Sequence, residues 1–519
     1  MESNPLSPTG KRLLDHIEHA EQLAEQPRGD TFHVSGVAGG VYFAYEQLRN
    51  AANYTQQHLL LRAAIERYLH RAVYLPDKTA PKIADDLIVE LTQARYLKND
   101  SIPQTALRGI NSLVAQYARF YTALTGQHNV PRAKASRWVY QTLSVAIERL
   151  IMPQTRIDAV IDTAYHHYLE TIDSAAYSQA DPYAFNAALY CALHRSLIKS
   201  DAATTRYYWL MTQSDQTVRP QGFIAACETI DMWFESPLTN KLVRVINKYG
   251  APMRSLRELV VRHNASTDLL NDKPRLLAKL ENVVVEQYDA IHSTTLTNLW
   301  RMVVFVALTK MLIGIAIEIP YDLFVYGSIA VVPLVLNLAF PPLYMATALF
   351  GIRRPGPGNT DTILSYAERI LYETDKPLKY GMQKRPISGN LKTWFNVAYG
   401  ITFLIPFALL VWGLIALGFG LVHGLIFFMF LSGVSFFRWR LIQAAREMDI
   451  IDRPQSLLTA IANFFHMPFV QLGHWLSDRY RQVNVITFIL DIAIELPLKT
   501  SLRILRQWVS FVTDKHDQL

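Results

Sequence analysis

Apolar and polar residues are distributed differently in the two halves of the chain. Up to about residue 290, apolar residues recur every three or four positions in runs such as 59–73, 83–96 and 112–124, and short polar segments separate the runs. This period is typical of amphipathic helices that bury one face. The pattern predicts an all-α soluble N-terminal region, with a cytoplasmic helical domain at 1–215 and a helical stalk or linker at 216–297. The boundary near 215 is polar and contains a proline.

After residue 297, the apolar stretches become long enough to cross a bilayer, which takes about 20 residues at 1.5 Å per residue. They predict a transmembrane region at 298–440 with four helices, at about 302–319, 323–350, 395–417 and 419–437. Pro320 is expected to stop the first helix, and Gly418 lies in the turn between the last two. Both pairs are therefore predicted to form helical hairpins.

The remaining residues, 441–519, combine apolar stripes with charges at helical spacing. They predict amphipathic helices that lie in the membrane interface, among them one at 498–512. The stretch 485–496 is more apolar but short and contains two acidic residues. We expect it to lie in the interface or against the bundle, with a fifth crossing as the alternative.

The distribution of charge predicts the orientation. The connection 351–393 carries eight Lys or Arg (353, 354, 369, 376, 379, 384, 385 and 392) against four acidic residues (361, 368, 373 and 375), and the two hairpin turns carry no Lys or Arg. Because positive residues collect on the cytoplasmic side, we expect this connection and both termini to be cytoplasmic. With no basic segment followed by an apolar stretch at the start, we expect no cleavable signal peptide, and a multi-pass protein of the inner (plasma) membrane.

Composition narrows the classes of function. Half of the 519 residues are hydrophobic and 18% are charged, which fits a membrane protein better than an average soluble one. The net charge of +7 is explained by the cytoplasmic side of such a protein, so nucleic-acid binding is not expected. The two cysteines have no metal-ligand spacing, and common hydrolase motifs are absent. We therefore predict no enzyme activity and no cofactor.

Lys310 lies in the middle of the first predicted span, where an ionisable residue costs about 2.5–3.5 kcal/mol and needs a partner. Folding the hairpin back brings Asn337 within its reach, with the lysine expected to extend toward the cytoplasm. Lys310 and Asn337 thus form a candidate intramembrane polar site. One interpretation is an ion or substrate pathway, and the other is a structural lysine that makes hydrogen bonds between helices.

Two further groups of polar residues accompany the spans. Glu318 and Asp322 bracket the predicted outer turn, where they could form an acidic pair that binds a cation or could be solvated caps. Arg438 and Arg440 follow the last span, and Arg503 and Arg506 flank the apolar face of the predicted C-terminal helix. These four arginines are candidate lipid contacts.

In the soluble region, Asp162, His166 and Glu170 share one helix face by their spacing. Helical metal sites use such spacing, but a di-metal site needs a second Glu-x-x-His copy, and the sequence has none of that form. We therefore expect a solvated face and predict no metal site.

Seven short stretches resemble an uncharacterised family of polytopic membrane proteins from small-genome, candidate-phylum bacteria. They are YEQLRN at 45–50, HLLLR at 58–62, AIER at 64–67, FPPL at 340–343, PGNT at 357–360, IELPLKT at 494–500 and RQW at 506–508. The resemblance covers most of the chain. It implies a recurring architecture and no activity or site.

These observations support two functional hypotheses. The first is a membrane-bound scaffold or assembly factor whose cytoplasmic helical region binds a protein partner, while basic residues contact anionic lipid on the cytoplasmic face. The alternative is a small channel or transporter with Lys310 and Asn337 on its pathway, since broken helices and buried charge are features of such pathways. Four spans are few for a channel or transporter, so this hypothesis is favoured if the protein forms a homo-oligomer. The sequence does not determine the oligomeric state.

Overall fold

In the part of the chain that the structure describes, every regular secondary-structure element is a helix, apart from three isolated β-bridges. The structure is a computed structural model, and the described residues are 5–24, 30–34, 43, 46, 59–73, 81–174, 181–213, 219–373, 378–380, 389–451 and 457–482. The prediction of an all-α chain is confirmed for these residues.

Twelve helices with described bounds belong to the N-terminal region. They are α1 (Pro8–Ala24), α2 (Leu60–Val73), α3 (Pro81–Gln93), α4 (Gln104–Gly126), α5 (Arg132–Ile151), α6 (Thr155–Thr171), α7 (Pro182–Leu193), α8 (Ala202–Gln213), α9 (Pro220–Trp233), α10 (Pro237–Tyr249), α11 (Ala251–Val261) and α12 (Thr267–Asn271). A π turn, His194–Ile198, follows α7. Several of these helices begin at a polar cap, as in α10, where the Ser236 side chain accepts a hydrogen bond from the backbone N–H of Thr239.

The remaining helices begin with the longest one in the described part of the chain. They are α13 (Lys273–Ile313), a π turn (Gly314–Glu318), α14 (Ile319–Val325), α15 (Val331–Ala346) with a 3₁₀ turn (Thr347–Phe350), α16 (Pro357–Leu371), α17 (Gly389–Ala416), α18 (Leu421–Ala445) and α19 (Leu457–Gln482).

One hydrophobic core joins helices from α1 to α13. Ile17 of α1, Phe223 of α9, Val245 of α10 and Leu280 of α13 all belong to it and are almost fully buried. The segment predicted as a stalk therefore contains two kinds of structure. Helices α9–α12 pack in the core of the domain, and α13 is the part that extends beyond it. Residues 214–218, at the predicted boundary, lie outside the described residues.

The connection 351–393 contains a packed helix, α16, which completes the same core. Its Ile370 and the following Tyr372 are buried there. Ser7, before α1, donates its hydroxyl to the Ile370 carbonyl over 2.6 Å. Tyr380 stacks on Tyr249 with the ring centroids 5.1 Å apart. From its charge, this segment was expected to be a basic loop. The structure shows that it contains a helix whose apolar face packs in the helical domain.

Among the described residues, three helical segments are long and apolar enough to cross a membrane: Lys273–Val325, Val331–Phe350 and Leu421–Ala445. They cover the first, second and fourth predicted spans. The third falls within α17, for which a shorter apolar stretch, Leu404–Ala416, was found among the described residues. The count of four crossings stays a prediction.

The first hairpin turns later than the sequence indicated. Pro320 was expected to end the helix, but the chain continues through the π turn into α14 and reverses at 326–330, where Gly327 adopts a φ of 68°. The wider π turn comes just before Pro320 and accommodates a residue that lacks an N–H. The predicted start of the second span at 323 is therefore wrong, since α15 begins at Val331.

Helix α19 packs closely along α18. A Cβ built on Gly473 would lie only 2.1 Å from the Ser432 carbonyl oxygen, so the two backbones touch at this point. Phe469 packs against Phe407 of α17 with the centroids 4.8 Å apart. The first part of the predicted interfacial region is thus a helix against the apolar bundle. The predicted helix at 498–512 and the stretch 485–496 lie outside the described residues.

Candidate functional site

A buried ion pair and a buried histidine–carboxylate contact lie where the first hairpin meets α18. The Lys310 ammonium is 2.7 Å from Oε1 of Glu318, and Nε2 of His423 is 3.2 Å from Oδ1 of Asp322. All four side chains are at most 1% exposed. Together with Asn337, these residues are called the buried polar cluster below. Charges this deeply buried are stable only when they are paired.

Asn337 of α15 connects the Lys310–Glu318 pair to His423. Its Nδ2 donates to Oε2 of Glu318 over 3.0 Å and to the backbone carbonyl of His423 over 3.2 Å. One amide therefore joins the first hairpin to α18. Because Asn337 has no exposed surface, these contacts replace the hydrogen bonds that it would make with water.

The π turn Gly314–Glu318 brings Glu318 to the lysine. In a regular α-helix, Glu318 would lie about 80° around the axis from Lys310, and one extra residue in the turn moves it back by about 100°, onto the lysine side. Lys310 extends toward Glu318 and thus toward the hairpin turn, away from the helical domain. The ammonium also lies 4.7 Å from the centroid of the Phe430 ring, a cation–π distance.

Asp322 holds the hairpin turn. Its Oδ2 accepts a hydrogen bond from the backbone N–H of Ala330 over 2.9 Å, while Oδ1 faces His423. On the other side of the turn, the Tyr326 hydroxyl lies beside Gly420, where a Cβ would come within 2.7 Å of it. The turn is thus packed directly against the start of α18.

Several polar atoms of the cluster have no hydrogen-bond partner among the described residues. They are Oδ1 of Asn337, Oδ1 of Asp322 and both ring nitrogens of His423. The contact between Nε2 of His423 and Asp322 has ion-pair distance without hydrogen-bond geometry. Buried polar atoms of this kind are uncommon and mark a site where a proton or a water molecule can be held.

The structure agrees with the predicted placement of some site residues and differs for others. Lys310 and Asn337 do lie in one site, and both contact Glu318. Glu318 and Asp322 are not solvated caps, because they are 1% and 0% exposed and each faces its own basic partner. They were misjudged because the turn was placed next to them.

The candidate lipid contacts differ in exposure. Arg438 is half-buried, and its Nε donates to Thr347 Oγ1 over 2.9 Å, whereas Arg440 is exposed. Arg503 and Arg506 lie outside the described residues.

The helix face in the soluble region pairs with α1. Asp162 Oδ2 is 3.0 Å from Nε2 of His16 and 3.5 Å from Arg12, and its Oδ1 is 3.5 Å from His166. Glu170 is exposed. Among the described residues, no group of three His, Cys, Asp or Glu side chains has an arrangement that could hold a metal ion.

The helical domain contains a charged cluster that the sequence did not reveal. Arg62 is 2.7 Å from Glu66 and 2.6 Å from Asp201, and the nearby Glu148 is buried. Burial raises the pKa of Glu148 to about 7, against the attraction of Arg149 and Arg62. Arg62 and Glu66 are four residues apart on α2, but Asp201 and Glu148 come from distant parts of the sequence, so no motif or spacing could have identified the whole cluster.

No family model, curated protein or solved structure matches the chain. The sequence resemblance described above therefore stays a prediction. The residues and their geometry carry the functional argument.

Proposed function

We propose that the chain is a multi-pass protein of the inner membrane that serves as a scaffold or assembly factor, with its helical domain held at a fixed orientation on the cytoplasmic face. The observation that carries this proposal is α13. This single helix of 41 residues, about 60 Å long, begins in the core of the domain and ends inside the apolar bundle. Leu280 is buried at one end and Lys310 at the other.

A second contact fixes the domain to the bundle. Asn359 of α16 donates to the Tyr288 hydroxyl and to the Met448 carbonyl, both over 2.8 Å, and accepts from the backbone N–H of Ile450 over 2.9 Å. It therefore joins α13, the connection between the hairpins and the chain after α18. A domain held at two places turns as one unit with the bundle, as a scaffold requires.

The same contacts support the proposed orientation independently of charge. Ser7 contacts α16 through Ile370, and Arg254 of α11 donates to the Glu447 carbonyl, after α18, over 2.8 Å. Segments that touch one another lie on one side of a membrane. The N-terminal domain, the connection and the chain after Ala445 are therefore proposed to be cytoplasmic together, in line with the basic residues of the connection and with four crossings.

Lipid contact is part of the proposal. Arg440 is exposed just beyond the apolar part of α18, where a positive side chain meets the phosphates of anionic lipid. Native mass spectrometry of the wild type and of Arg440→Gln tests this contact, with Arg262→Gln in the soluble domain as the exposed control. We expect less retained anionic lipid in Arg440→Gln alone, and equal retention in all three proteins counts against the contact.

The scaffold proposal is tested by site-specific photocrosslinking in native membranes. A photoreactive residue replaces Met232, which is 67% exposed on the helical domain, or Leu421, which is 76% exposed on the bundle. We expect a discrete protein adduct from position 232 and lipid adducts from position 421. A second domain position is Met152, which is 46% exposed. If positions 232 and 152 both give no protein adduct, the domain has no resident partner on these faces, and the scaffold proposal loses its support.

A small transporter is the second candidate, because unpartnered polar atoms lie next to buried charges in the cluster. Flux of protons or small ions into liposomes tests it, with Lys310→Met/Glu318→Gln as the variant. This substitution removes both charges and leaves no carboxylate unpaired. Flux lost in the variant supports transport, whereas a scaffold keeps its photocrosslinks and shows no flux in either protein.

A further inference from the structure

The charges of the buried polar cluster do not balance if its histidine is neutral. Lys310 and Glu318 compensate each other at 2.7 Å. Asp322 then stands beside His423 alone, and a neutral imidazole would leave one negative charge buried in an apolar bundle. An uncompensated buried carboxylate is far more costly than a paired one.

Among the described residues, those in contact with His423 carry no positive charge. Helix α19, which packs along α18, carries His466, His474 and Arg479, whose described contacts include Tyr344, Asp478 and Trp475 respectively. Helix α13 contributes Lys310, the π turn Glu318, and α14 Asp322 and Tyr321, whose ring centroid is 6.1 Å from that of His423. From α15 comes the amide of Asn337. The hairpin turn adds the Tyr326 hydroxyl, the turn before α18 adds the Phe419 ring, and 404–416 of α17 contains no ionisable residue.

The compensating proton is better placed on the histidine than on the aspartate. Oδ2 of Asp322 accepts a backbone N–H and Oδ1 lies 3.2 Å from Nε2, and an imidazole is intrinsically the more basic of the two groups. The first turn of α18 does disfavour a positive charge at His423. That effect is smaller than the cost of leaving a buried carboxylate unpaired.

We propose that Asp322 and His423 form a proton-binding site that holds one proton as an imidazolium–carboxylate pair between the first hairpin and α18. The proposal depends on the closed cluster and does not rest on the scaffold function. The proton makes the cluster neutral, so its release leaves a negative charge at the contact between α14 and α18. Proton release is therefore coupled to separation of these two helices.

Nuclear magnetic resonance of the histidine ring tests this directly. Full-length protein labelled with ¹⁵N-histidine is reconstituted in lipid bilayers at about pH 7.5, where a free imidazole is mostly neutral. The resonances of His423 are assigned by their loss in the neutral double variant Asp322→Asn/His423→Gln. The exposed control is the pair of His474 and Asp478, whose side chains are 2.9 Å apart and both 57% exposed.

We expect both ring nitrogens of His423 to be protonated in the wild type, and the ring to become neutral in Asp322→Asn. A neutral His423 ring in the wild type overturns the proposal. So does a charged ring that persists in Asp322→Asn, because its charge would then have another cause.

Thermal unfolding supplies a second readout. Asp322→Asn removes the charge that needs compensation and should shift the unfolding temperature little, whereas His423→Gln leaves the carboxylate unpaired and should lower it by several degrees. Adding Asp322→Asn to His423→Gln should recover most of that loss. Equal losses in the two single variants, with no recovery in the double variant, indicate an ordinary packing contact and contradict the proposal.

Discussion

Lys310 has its charge compensated by a residue of the same helical segment, eight positions along the chain. The pair with Glu318 is fully buried, and Asn337 donates to the other carboxylate oxygen. Removing one partner of a buried ion pair is strongly destabilising, because the other charge is left uncompensated, whereas replacing both partners by neutral residues changes the stability of the fold little. A change to either residue alone must therefore be distinguished from a change to both.

Lys310→Met should destabilise the protein by about 3–5 kcal/mol, because it leaves Glu318 charged and unpaired in an apolar environment. The double variant Lys310→Met/Glu318→Gln should unfold within about 1–2 kcal/mol of the wild type. Thermal unfolding of the three proteins in the same lipid or detergent measures this. A single variant as stable as the wild type shows that water reaches the pair, in contradiction to the closed cluster.

Glu148 gives the helical domain a pH dependence of definite sign. Its pKa is raised from 4.5 to about 7, so between these values the folded state holds a proton that the unfolded state has lost. Its contribution to stability is therefore complete below about pH 4.5 and is lost as pH rises through about 7. Glu148→Gln keeps the neutral form and should stabilise the protein at pH 8 by about 2–3 kcal/mol, with little effect at pH 4.5.

Unfolding temperatures across this pH range measure the effect. Glu170→Gln, an exposed substitution on a neighbouring helix, is the control and should leave the pH profile unchanged. A profile of Glu148→Gln parallel to that of the wild type excludes Glu148 as the source.

Part of the buried polar cluster was accessible from the sequence. A lysine in an apolar run needs a partner, and folding the hairpin back brought Asn337 near it. The role of Glu318 was not accessible, because a π turn changes the angular position of later residues and leaves no mark in a 3.6-residue pattern. The pairing of Asp322 with His423 joins residues 101 positions apart and follows only from tertiary packing.

At the scale of elements, the apolar runs gave the positions of the long helices, and amphipathic spacing gave the helical character of the domain. Helix α16 was missed because its polar side was counted as loop charge. Its Ile363, Ala367 and Ile370 lie three or four residues apart and are buried, which is the pattern of a packed helix. Counting charge in a connection says which side it lies on and nothing about whether it is folded.

The contact between α18 and α19 depends on one glycine. Gly473→Ala should loosen it, since the added Cβ would overlap the Ser432 carbonyl, at a cost of about 1–3 kcal/mol. Gly424→Ala in α18 is the matched control, because a Cβ there meets nothing within 4 Å. The control should be neutral or stabilising by up to about 1 kcal/mol. Disulfide crosslinking between introduced cysteines on α18 and α19 reports the contact, and equal efficiency in both variants contradicts this account.

At the scale of the whole molecule, Asn359 is the contact by which the domain and the bundle are joined at a second place. Asn359→Leu removes its hydrogen bonds and leaves the Met448 carbonyl and the Ile450 N–H buried without their partner. We expect a loss of about 2–4 kcal/mol, since each unsatisfied buried group costs about 1–3 kcal/mol. Asn282→Leu, at an exposed position of α13, is the control.

The variant should also change which parts unfold together. Limited proteolysis of Asn359→Leu should release the helical domain and the bundle at different temperatures, whereas the wild type and the control lose both in one step. Simultaneous loss in the variant means that α13 alone is enough to couple them.

The contact between Ser7 and Ile370, 363 positions apart, has a consequence for synthesis on the ribosome. The N-terminal helices emerge first, yet their core lacks α16 until the ribosome has also made α13 and α15 and reached residue 371. Until then, the apolar surface that later covers Ile370 and Tyr372 is open to solvent or to a chaperone. The domain therefore completes its folding only after the first hairpin has been made, which links the quality of its fold to correct placement of that hairpin.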